Sequence, residues 1–85
     1  MLEEEPDVVE VEIKFETLVI LTFANGMRRI MDLKAIMAGP ACEDILNNGD
    51  FDKIYVDKEA GTICWPNGAD IAPEVLAQAG IIYLK

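Results

Sequence analysis

Residues 18–33 read LVILTFANGMRRIMDL, and this stretch decides the fold. Its first six residues are apolar on both faces, which predicts a central strand that is covered on both sides. The asparagine and glycine at 25–26 are a strong hairpin signal, because a type I′ turn requires positive φ at both central residues. A two-residue turn at this point pairs Leu21 with Ile30 and predicts a return strand over residues 27–33.

Another strand precedes this hairpin. Residues 8–15 alternate between apolar and charged side chains, and a period of two rich in β-branched residues predicts a half-buried strand. The apolar side chains expected on one side of this strand are those of Val9, Val11, Ile13 and Phe15. Together the three strands are predicted to form an antiparallel meander.

The rest of the chain contains short helices and short strands. Asp32 is the predicted N-cap of the first helix, and Pro73 begins the last helix at a position where its missing N–H costs no hydrogen bond. The predicted helices are 34–38, 41–47 and 73–79, and the predicted strands are 51–57 and 62–65. This order, β-β-β-α-α-β-β-α, predicts an α+β fold in which short helices pack against a small antiparallel sheet.

We expect a single domain over residues 1–85, with an acidic flexible tail at 1–7 and a folded part at 8–85. Residues 81–85 are too apolar for a free tail and are predicted to pack on the domain or on a neighbour. A chain this short has too few residues to cover both faces of a sheet. We therefore expect a homodimer or larger assembly, built on strand 18–23 or on tail 81–84. The predicted core consists of Val11, Val19, Leu21, Phe23, Ile30, Leu33, Ile36, Ile45, Leu46, Phe51, Ile54, Val56, Ile63, Trp65, Ile71, Val75 and Leu76.

The composition restricts the chemistry. Seven lysines and arginines against 16 aspartates and glutamates give a net charge of −9, which excludes a free-standing electrostatic binder of DNA or RNA. The absence of histidine excludes Ser-His-Asp and Cys-His catalysis and metal sites that rely on imidazole. No apolar run approaches the length of a membrane span and the N-terminus is acidic, so we expect a cytoplasmic protein. Cys42 and Cys64 are then expected to be free thiols in semi-buried positions.

The densest segment of the sequence is residues 65–74, WPNGADIAPE. Together with FANG at 23–26, the Asp-Leu pair at 32–33 and FDKIYVD at 51–57, it resembles small bacterial proteins grouped as domain of unknown function 2442. These share a WPNGAD-I-P stretch, an F-x-[ND]-G hairpin and a strand ending in Val-Asp. The resemblance covers about residues 9–79. Some members resemble partners fused to, or encoded beside, DNA-binding or toxin-like modules, which implies an accessory role.

Three side chains of this segment form the candidate binding site: Trp65, Asn67 and Asp70. In a structural interpretation, Trp65 fills the core and Asp70 accepts hydrogen bonds from backbone amides of the next turn. In a functional interpretation, Trp65 offers a stacking face, Asn67 reads an amide, and Asp70 accepts from a cationic ligand or from an arginine of a partner. Both interpretations are open at the level of the sequence.

The first hypothesis for the function is a non-catalytic protein-interaction or regulatory module that binds a basic protein, antitoxin-like or accessory to a DNA-binding protein. It involves no catalytic residues, no metal, no cofactor and no direct contact with nucleic acid or membrane. The alternative is a carboxylate-dependent enzyme or a small-ligand-binding domain. The candidate acids of such an enzyme are Asp32, Asp57, Asp70 and Glu74, and two carboxylates within about 10 Å in one cleft would favour it.

Overall fold

The computed structural model describes residues 6–83, and it confirms the predicted α+β fold with a small antiparallel sheet. The elements are β1 (Val8–Phe15), β2 (Leu18–Phe23), β3 (Arg28–Asp32), α1 (Pro40–Asn48), β4 (Tyr55–Asp57), β5 (Thr62–Cys64), α2 (Pro73–Gln78) and β6 (Ile81–Ile82), with 3₁₀ turns at Leu33–Ala35 and Phe51–Lys53. Within the described residues, neither helix is long and apolar enough to cross a membrane.

A four-stranded antiparallel sheet, in the order β1-β2-β3-β6, forms the centre of the fold, and the β4–β5 hairpin lies against β1. The two sheets are joined where the Val8 N–H donates to the Gly61 carbonyl at 3.0 Å. The side chains of strand β2 point alternately to the two faces of the four-stranded sheet. Its side chains Val19, Leu21 and Phe23 are buried in the core on what we call the inner face. Leu18, Ile20 and Thr22 occupy the opposite, outer face.

The core lies on the inner face, and most of its predicted members are confirmed. Buried as predicted are Val19, Leu21, Phe23, Leu33, Ile45, Phe51, Ile63, Trp65, Ile71 and Leu76. Val11, Ile30, Ile36, Leu46, Ile54 and Val56 are half-buried. The prediction for Val75 is wrong, because its side chain is 42% exposed. Neighbouring positions on a helix point about 100° apart, so the burial of Leu76 turns Val75 towards the solvent.

Strand β1 does not bury the side that its alternation predicts. Register shifts at Val9 and Lys14 each place one extra residue of β1 opposite β2, as in a β-bulge. A bulge transfers the following residues to the other face of the sheet. Val8 is consequently buried, whereas Val9 is 50% and Phe15 67% exposed. The expectation that Val9 and Phe15 share the buried side is therefore wrong.

The β2–β3 hairpin closes through a three-residue loop instead of the predicted two-residue type I′ turn. The Phe23 N–H donates to the Met27 carbonyl at 2.8 Å, and the Gly26 N–H donates to the Phe23 carbonyl at 2.9 Å. Gly26 has a φ of +90°, but Asn25 has no positive φ. The Asn25 side chain instead accepts a hydrogen bond from the Met27 N–H at 2.9 Å. This loop, with glycine in the left-handed region, is the next commonest hairpin connection.

The longer loop shifts the register of β3 by one residue. Leu21 pairs with Arg29 and not, as predicted, with Ile30. Met31 lies opposite Val19 on the inner face and is buried, although it was not among the predicted core residues. Ile30 lies on the outer face, opposite Ile20. One residue of loop length thus decides which side chains of β3 face the core.

The first predicted helix, 34–38, is only a 3₁₀ turn at Leu33–Ala35. Its predicted cap is confirmed, because the Asp32 carboxylate accepts from the Lys34 N–H at 3.1 Å. Gly39 and Pro40 follow so closely that too few residues are left for an α-helix to nucleate. The helices predicted at 41–47 and 73–79 are observed as α1 and α2. The predicted strand 51–57 is shortened to β4, since Phe51–Lys53 is a 3₁₀ turn.

The apolar tail packs on the domain through its backbone. Ile81 pairs with Ile30, and Ile82 with Arg29, which makes β6 the edge strand beside β3. Gly80 has a φ of +68°, and a Cβ at this position would collide with the Ile30 backbone. Most of the predicted acidic tail and the end of the C-terminal tail, residues 1–5 and 84–85, lie outside the described residues.

Candidate functional site

Trp65 follows β5 and lies in the core, where it is 1% exposed. Its indole N–H donates to the Phe51 carbonyl at 3.1 Å, and the two rings contact each other with centroids 5.8 Å apart and planes tilted by 51°. A buried indole needs such an acceptor for its single polar group. These contacts are those of the structural interpretation, and they leave no ring face exposed for stacking on a ligand.

Asn67 is exposed, but both ends of its amide are engaged within the chain. Its NH₂ group donates to the Ala41 carbonyl at 3.0 Å, and its Oδ1 accepts from the Ala69 N–H at 3.0 Å. Gly68, with a φ of +95°, completes the turn between Trp65 and Ala69. Asn67 therefore ties the turn after β5 to the first turn of α1. A ligand that reads this amide would have to replace bonds that the fold already makes.

Asp70 is exposed and does not cap α2, whose N-cap residue is Ala72. Its backbone forms an isolated antiparallel bridge with Cys64. Asp57 approaches the same cysteine, with its Oδ2 4.0 Å from the sulfur. Burial first, and then the negative charges of Asp57 and Asp70, raise the pKa of the Cys64 thiol. The thiol accordingly stays protonated at neutral pH.

The four candidate acids do not share a cleft, although Asp57 and Asp70 both act on the Cys64 thiol. Asp57 accepts from the backbone N–H groups of Glu59 and Ala60 at 3.0 and 3.2 Å, which is ordinary turn chemistry. Asp32 accepts from the Thr17 hydroxyl at 2.6 Å at one end of the sheet. None of Asp32, Asp57, Asp70 and Glu74 lines a cleft that we identify on residues 6–83. Over the same residues, no three carboxylates and thiols approach one another as metal ligands do.

Two of the three candidate binding residues share a cleft. A depression of about 290 Å³ is lined by Ile45, Asp50, Lys53, Trp65, Pro66 and Asn67. Asp50 and Lys53 form an exposed ion pair at 3.4 Å, so the charges of this cleft balance. Asp70 does not contribute to the lining. The structure thus brings Trp65 and Asn67 together and leaves Asp70 apart, and their participation in binding stays a prediction.

A second depression, about 270 Å³, has a different character. We call it the acidic groove, and it is lined by Ile13, Glu16, Thr17, Ile45, Leu46, Gly49, Phe51 and Asp52. Its apolar side chains come from β1, α1 and the second 3₁₀ turn. The two charged members, Glu16 and Asp52, are both acidic and exposed, and no lysine or arginine contributes to the lining. The groove therefore combines an apolar floor with a negative rim.

Glu16 is held at this rim by an unusual backbone conformation. With a φ of +52°, it is the one residue other than glycine in the described chain with positive φ. Glutamate is uncommon in this region, where the Cβ crowds the backbone. Sequence reasoning did not identify this groove, because its lining comes from four separate elements. The only local signal was the short turn at 16–17 and the acidic pair around Phe51.

The family model described as Protein of unknown function (DUF2442) matches residues 8–81. The match includes all the elements of the fold described above, from the start of β1 into β6. Comparisons with curated proteins and with solved structures gave no match. The description of the family names no activity, so the function has to be argued from the geometry.

Proposed function

The chain belongs to this family of unknown function, DUF2442, and from that premise we propose that it is a non-catalytic protein-interaction module that binds a basic partner protein. The observation that carries the proposal is the acidic groove between β1, α1 and the second 3₁₀ turn. A cytoplasmic location is part of the same proposal. The partner that fits is a protein with a positively charged surface, for example one that itself binds nucleic acid.

The groove offers two kinds of contact to such a partner. Ile13 and Leu46 are partly exposed on its floor and would gain from covering by an apolar side chain. Glu16 and Asp52 on the rim would pair with lysines or arginines that flank this apolar side chain. Gly49, the C-cap of α1, marks the end of the helix that carries partial negative charge. The acidic rim and the end of the helix both favour a cation, and neither favours a phosphate.

Charge outside the groove supports the same class of partner. Residues 6–83 contain 13 acidic and six basic side chains, a net charge of −7. Only Glu12 and Asp50 among these acids form ion pairs within the described chain. A field of this sign accelerates encounter with a basic protein and repels nucleic acid. An antitoxin-like or accessory role would follow if the partner's basic surface is the one that contacts phosphates.

Catalysis by the groove carboxylates has less support. General acid–base work by two carboxylates requires environments that separate their protonation states. Glu16 and Asp52 both lie exposed on the rim, and the floor between them consists of hydrocarbon. The one uncharged polar side chain of the lining, that of Thr17, donates its hydroxyl to Asp32, which is not part of the groove. Binding of a partner's side chains would involve both the apolar floor and the acidic rim of the groove. Acid–base catalysis would involve only the two carboxylates of the rim.

The experiment is a peptide-display selection against the full chain, followed by affinity measurements on the selected peptides. We expect enrichment of sequences in which one large apolar residue is flanked by lysine or arginine. Their affinity should fall as the salt concentration rises, because exposed ion pairs are screened. The double variant Glu16→Gln, Asp52→Asn should bind them at least about tenfold more weakly, which corresponds to about 1.4 kcal/mol.

The matched control is the double variant Glu59→Gln, Glu74→Gln, which removes the same charge from exposed positions outside the groove. It should bind the selected peptides within about threefold of the unmodified chain, since it alters only the general field. A selection without basic peptides, or equal weakening by both double variants, would contradict the proposal that the groove is the binding site.

A further inference from the structure

The outer face of the sheet is a second surface that the fold leaves unused. A stripe of apolar side chains crosses all four strands on this face. Its members are Phe15 on β1, Leu18 and Ile20 on β2, Ile30 on β3 and Ile81 on β6. Phe15 and Ile81 are the two most exposed large apolar residues in the described chain, at 67% and 68%. Contact with an apolar surface of a partner would remove these two side chains from water and would be favourable.

The side chain at the centre of the stripe is already shielded from solvent. Ile20 is 2% exposed, although it does not belong to the core cluster. Leu18 and Ile30 are half-buried beside it, and neither packs against that cluster. Ile20 is therefore already covered within the chain, and the exposed apolar surface of the stripe lies mainly at its two ends, on Phe15 and Ile81. A flat partner would extend this partial cover without displacing any element of the fold.

The charges on the outer face nearly balance, whereas residues 6–83 as a whole carry a net charge of −7. Glu12 lies 3.3 Å from Lys14 and 4.0 Å from Arg28, and Arg28 also stacks over the Tyr83 ring at 5.1 Å. With Glu10 and with Asp32 at one end, the face carries three negative and two positive side chains, a net charge of −1. A strongly basic partner would find few free carboxylates here. A nearly neutral, apolar surface fits better, and a second copy of this chain provides one.

We propose that the outer face is the interface of a homodimer, formed by two copies of this chain packed face to face about a twofold axis. Such an interface is self-complementary by symmetry. It is also a surface on which two chains of charge −9 approach each other with little local repulsion. This proposal is separate from the proposed function, because the acidic groove lies on the other side of β1.

The distribution of charge along the strands selects the direction of the axis. Glu10 and Arg28 both pair with Thr22, so they lie at the same level on opposite sides of β2. An axis parallel to the strands places β1 of one copy over the β3–β6 half of the other, where glutamates face Arg28. An axis perpendicular to the strands would place β1 over β1 and bring Glu12 against its own copy. Like charges in contact oppose that second arrangement.

The size of the face predicts a dimer of modest stability. Four strands spaced by about 4.8 Å and about six residues in length make a face of roughly 20 by 20 Å. Two such faces bury about 800 Å² in total, which is below the usual range for specific interfaces and is typical of weak, transient association. We therefore expect association at micromolar and higher concentrations. Salt should strengthen it, because screening reduces the repulsion between two acidic chains.

The experiment is sedimentation velocity of the full chain from about 1 µM to about 1 mM, at low and high salt. The 9.4-kDa chain should approach twice its mass as the concentration rises. Phe15→Lys and Ile81→Lys should each raise the dissociation constant at least about tenfold. Each variant reduces the net negative charge, so weaker association would report loss of the apolar contact and not added repulsion.

The matched control is Val75→Lys, which makes the same change of charge at an exposed apolar position on α2, away from the outer face. It should leave the dissociation constant within about threefold. A circular-dichroism melt accompanies every variant, and if Ile81→Lys releases β6, the result for Phe15→Lys decides alone.

A monomer at every concentration would overturn the proposal, as would a dimer that both lysine variants leave intact or that Val75→Lys disrupts equally. Association weakened by salt would indicate a different, charge-based contact. Binding of basic peptides at the groove is measured separately, so either proposal can fail while the other stands.

Discussion

Both faces of the four-stranded sheet carry large apolar side chains, but only those of the inner face pack into the core. On the inner face, Leu21 and Phe23 pack into a core around Trp65, where the polar groups that become buried find partners. On the outer face, Ile20 and Ile30 form a second apolar group outside this core, with the exposed side chains of Phe15 and Ile81 at its ends. The difference shows where the fold ends: the inner face is used to hold the chain together, and the outer face is available for contacts with other molecules.

The WPNGAD segment belongs to the inner side of this comparison. Two of its candidate binding residues, Trp65 and Asn67, use their polar groups in hydrogen bonds to the backbone of Phe51, Ala41 and Ala69. A distinctive sequence motif therefore identifies the fold here and does not by itself identify a site. The surfaces with unused binding capacity, the acidic groove and the outer face, come from residues that form no sequence motif.

The largest effect is expected at the centre of the inner face. Trp65→Ala should reduce the free energy of unfolding by about 3–5 kcal/mol, because it leaves a large cavity and removes the indole donor from the Phe51 carbonyl, which keeps only the Ile54 N–H. Chemical denaturation monitored by circular dichroism measures this loss. The matched change on the outer face is Phe15→Ala, which removes an exposed aromatic ring and should cost less than about 1 kcal/mol. Equal losses at the two positions would remove the distinction between the faces.

A smaller effect is expected at Gly80, which anchors β6 to the edge of the sheet. A Cβ at Gly80 would collide with the Ile30 backbone, so Gly80→Ala should destabilise the chain by about 1–3 kcal/mol and release β6. Hydrogen exchange of the Tyr83 N–H, which donates to the Arg28 carbonyl at 2.8 Å, reports the release directly. Gly26→Ala is the control. It introduces a similar backbone strain at a φ of +90° with no atom within 4 Å.

If Gly80→Ala and Gly26→Ala cost the same and Tyr83 stays protected, close packing does not hold β6. The apolar stripe on the outer face would then still extend to β6, held there by other contacts such as the Arg29 side chain, which donates to the Ala79 carbonyl at 2.9 Å. If the Tyr83 N–H exchanges faster in Gly80→Ala and not in Gly26→Ala, then Gly80 is the residue that keeps β6, and with it Ile81, in the apolar stripe.

The sequence was sufficient to predict the meander, both α-helices, the β4–β5 hairpin and most of the core, because these follow from local patterns of apolar residues and from glycine and proline. It was not sufficient to predict the face of each residue on β1. Two bulges at Val9 and Lys14 interrupt a regular alternation, and bulges arise from pairing with a neighbouring strand. The predicted loop length of the hairpin at 23–27 was wrong for a related reason, since Asn-Gly is compatible with loops of more than one length.

The candidate site was harder to predict than the fold. Trp65, Asn67 and Asp70 are adjacent in sequence, but hydrogen bonds to Phe51 and Ala41, which are distant in sequence, decide which of them is free. The acidic groove depends on where the ends of β1 and α1 meet, and no local pattern encodes this meeting. Surfaces assembled from several elements require the tertiary structure, whereas strands and caps require only their own residues.

The smallest effect is expected at Asp70, the candidate residue that the fold uses least. Because its carboxylate does not cap α2, Asp70→Ala should change the free energy of unfolding at pH 7 by less than about 0.5 kcal/mol, where a lost cap would cost about 1 kcal/mol. Its charge should matter at alkaline pH. The raised pKa of Cys64 means that the unfolded chain loses this proton first, so stability declines as pH rises past about 8.5. Without the Asp70 carboxylate the pKa of Cys64 is raised less, and the decline should be shallower. Denaturation curves at neutral and alkaline pH measure both effects, with Cys64→Ala as the reference in which this decline is absent. A loss of 1 kcal/mol or more at neutral pH would show that Asp70 supports the inner side of the fold after all.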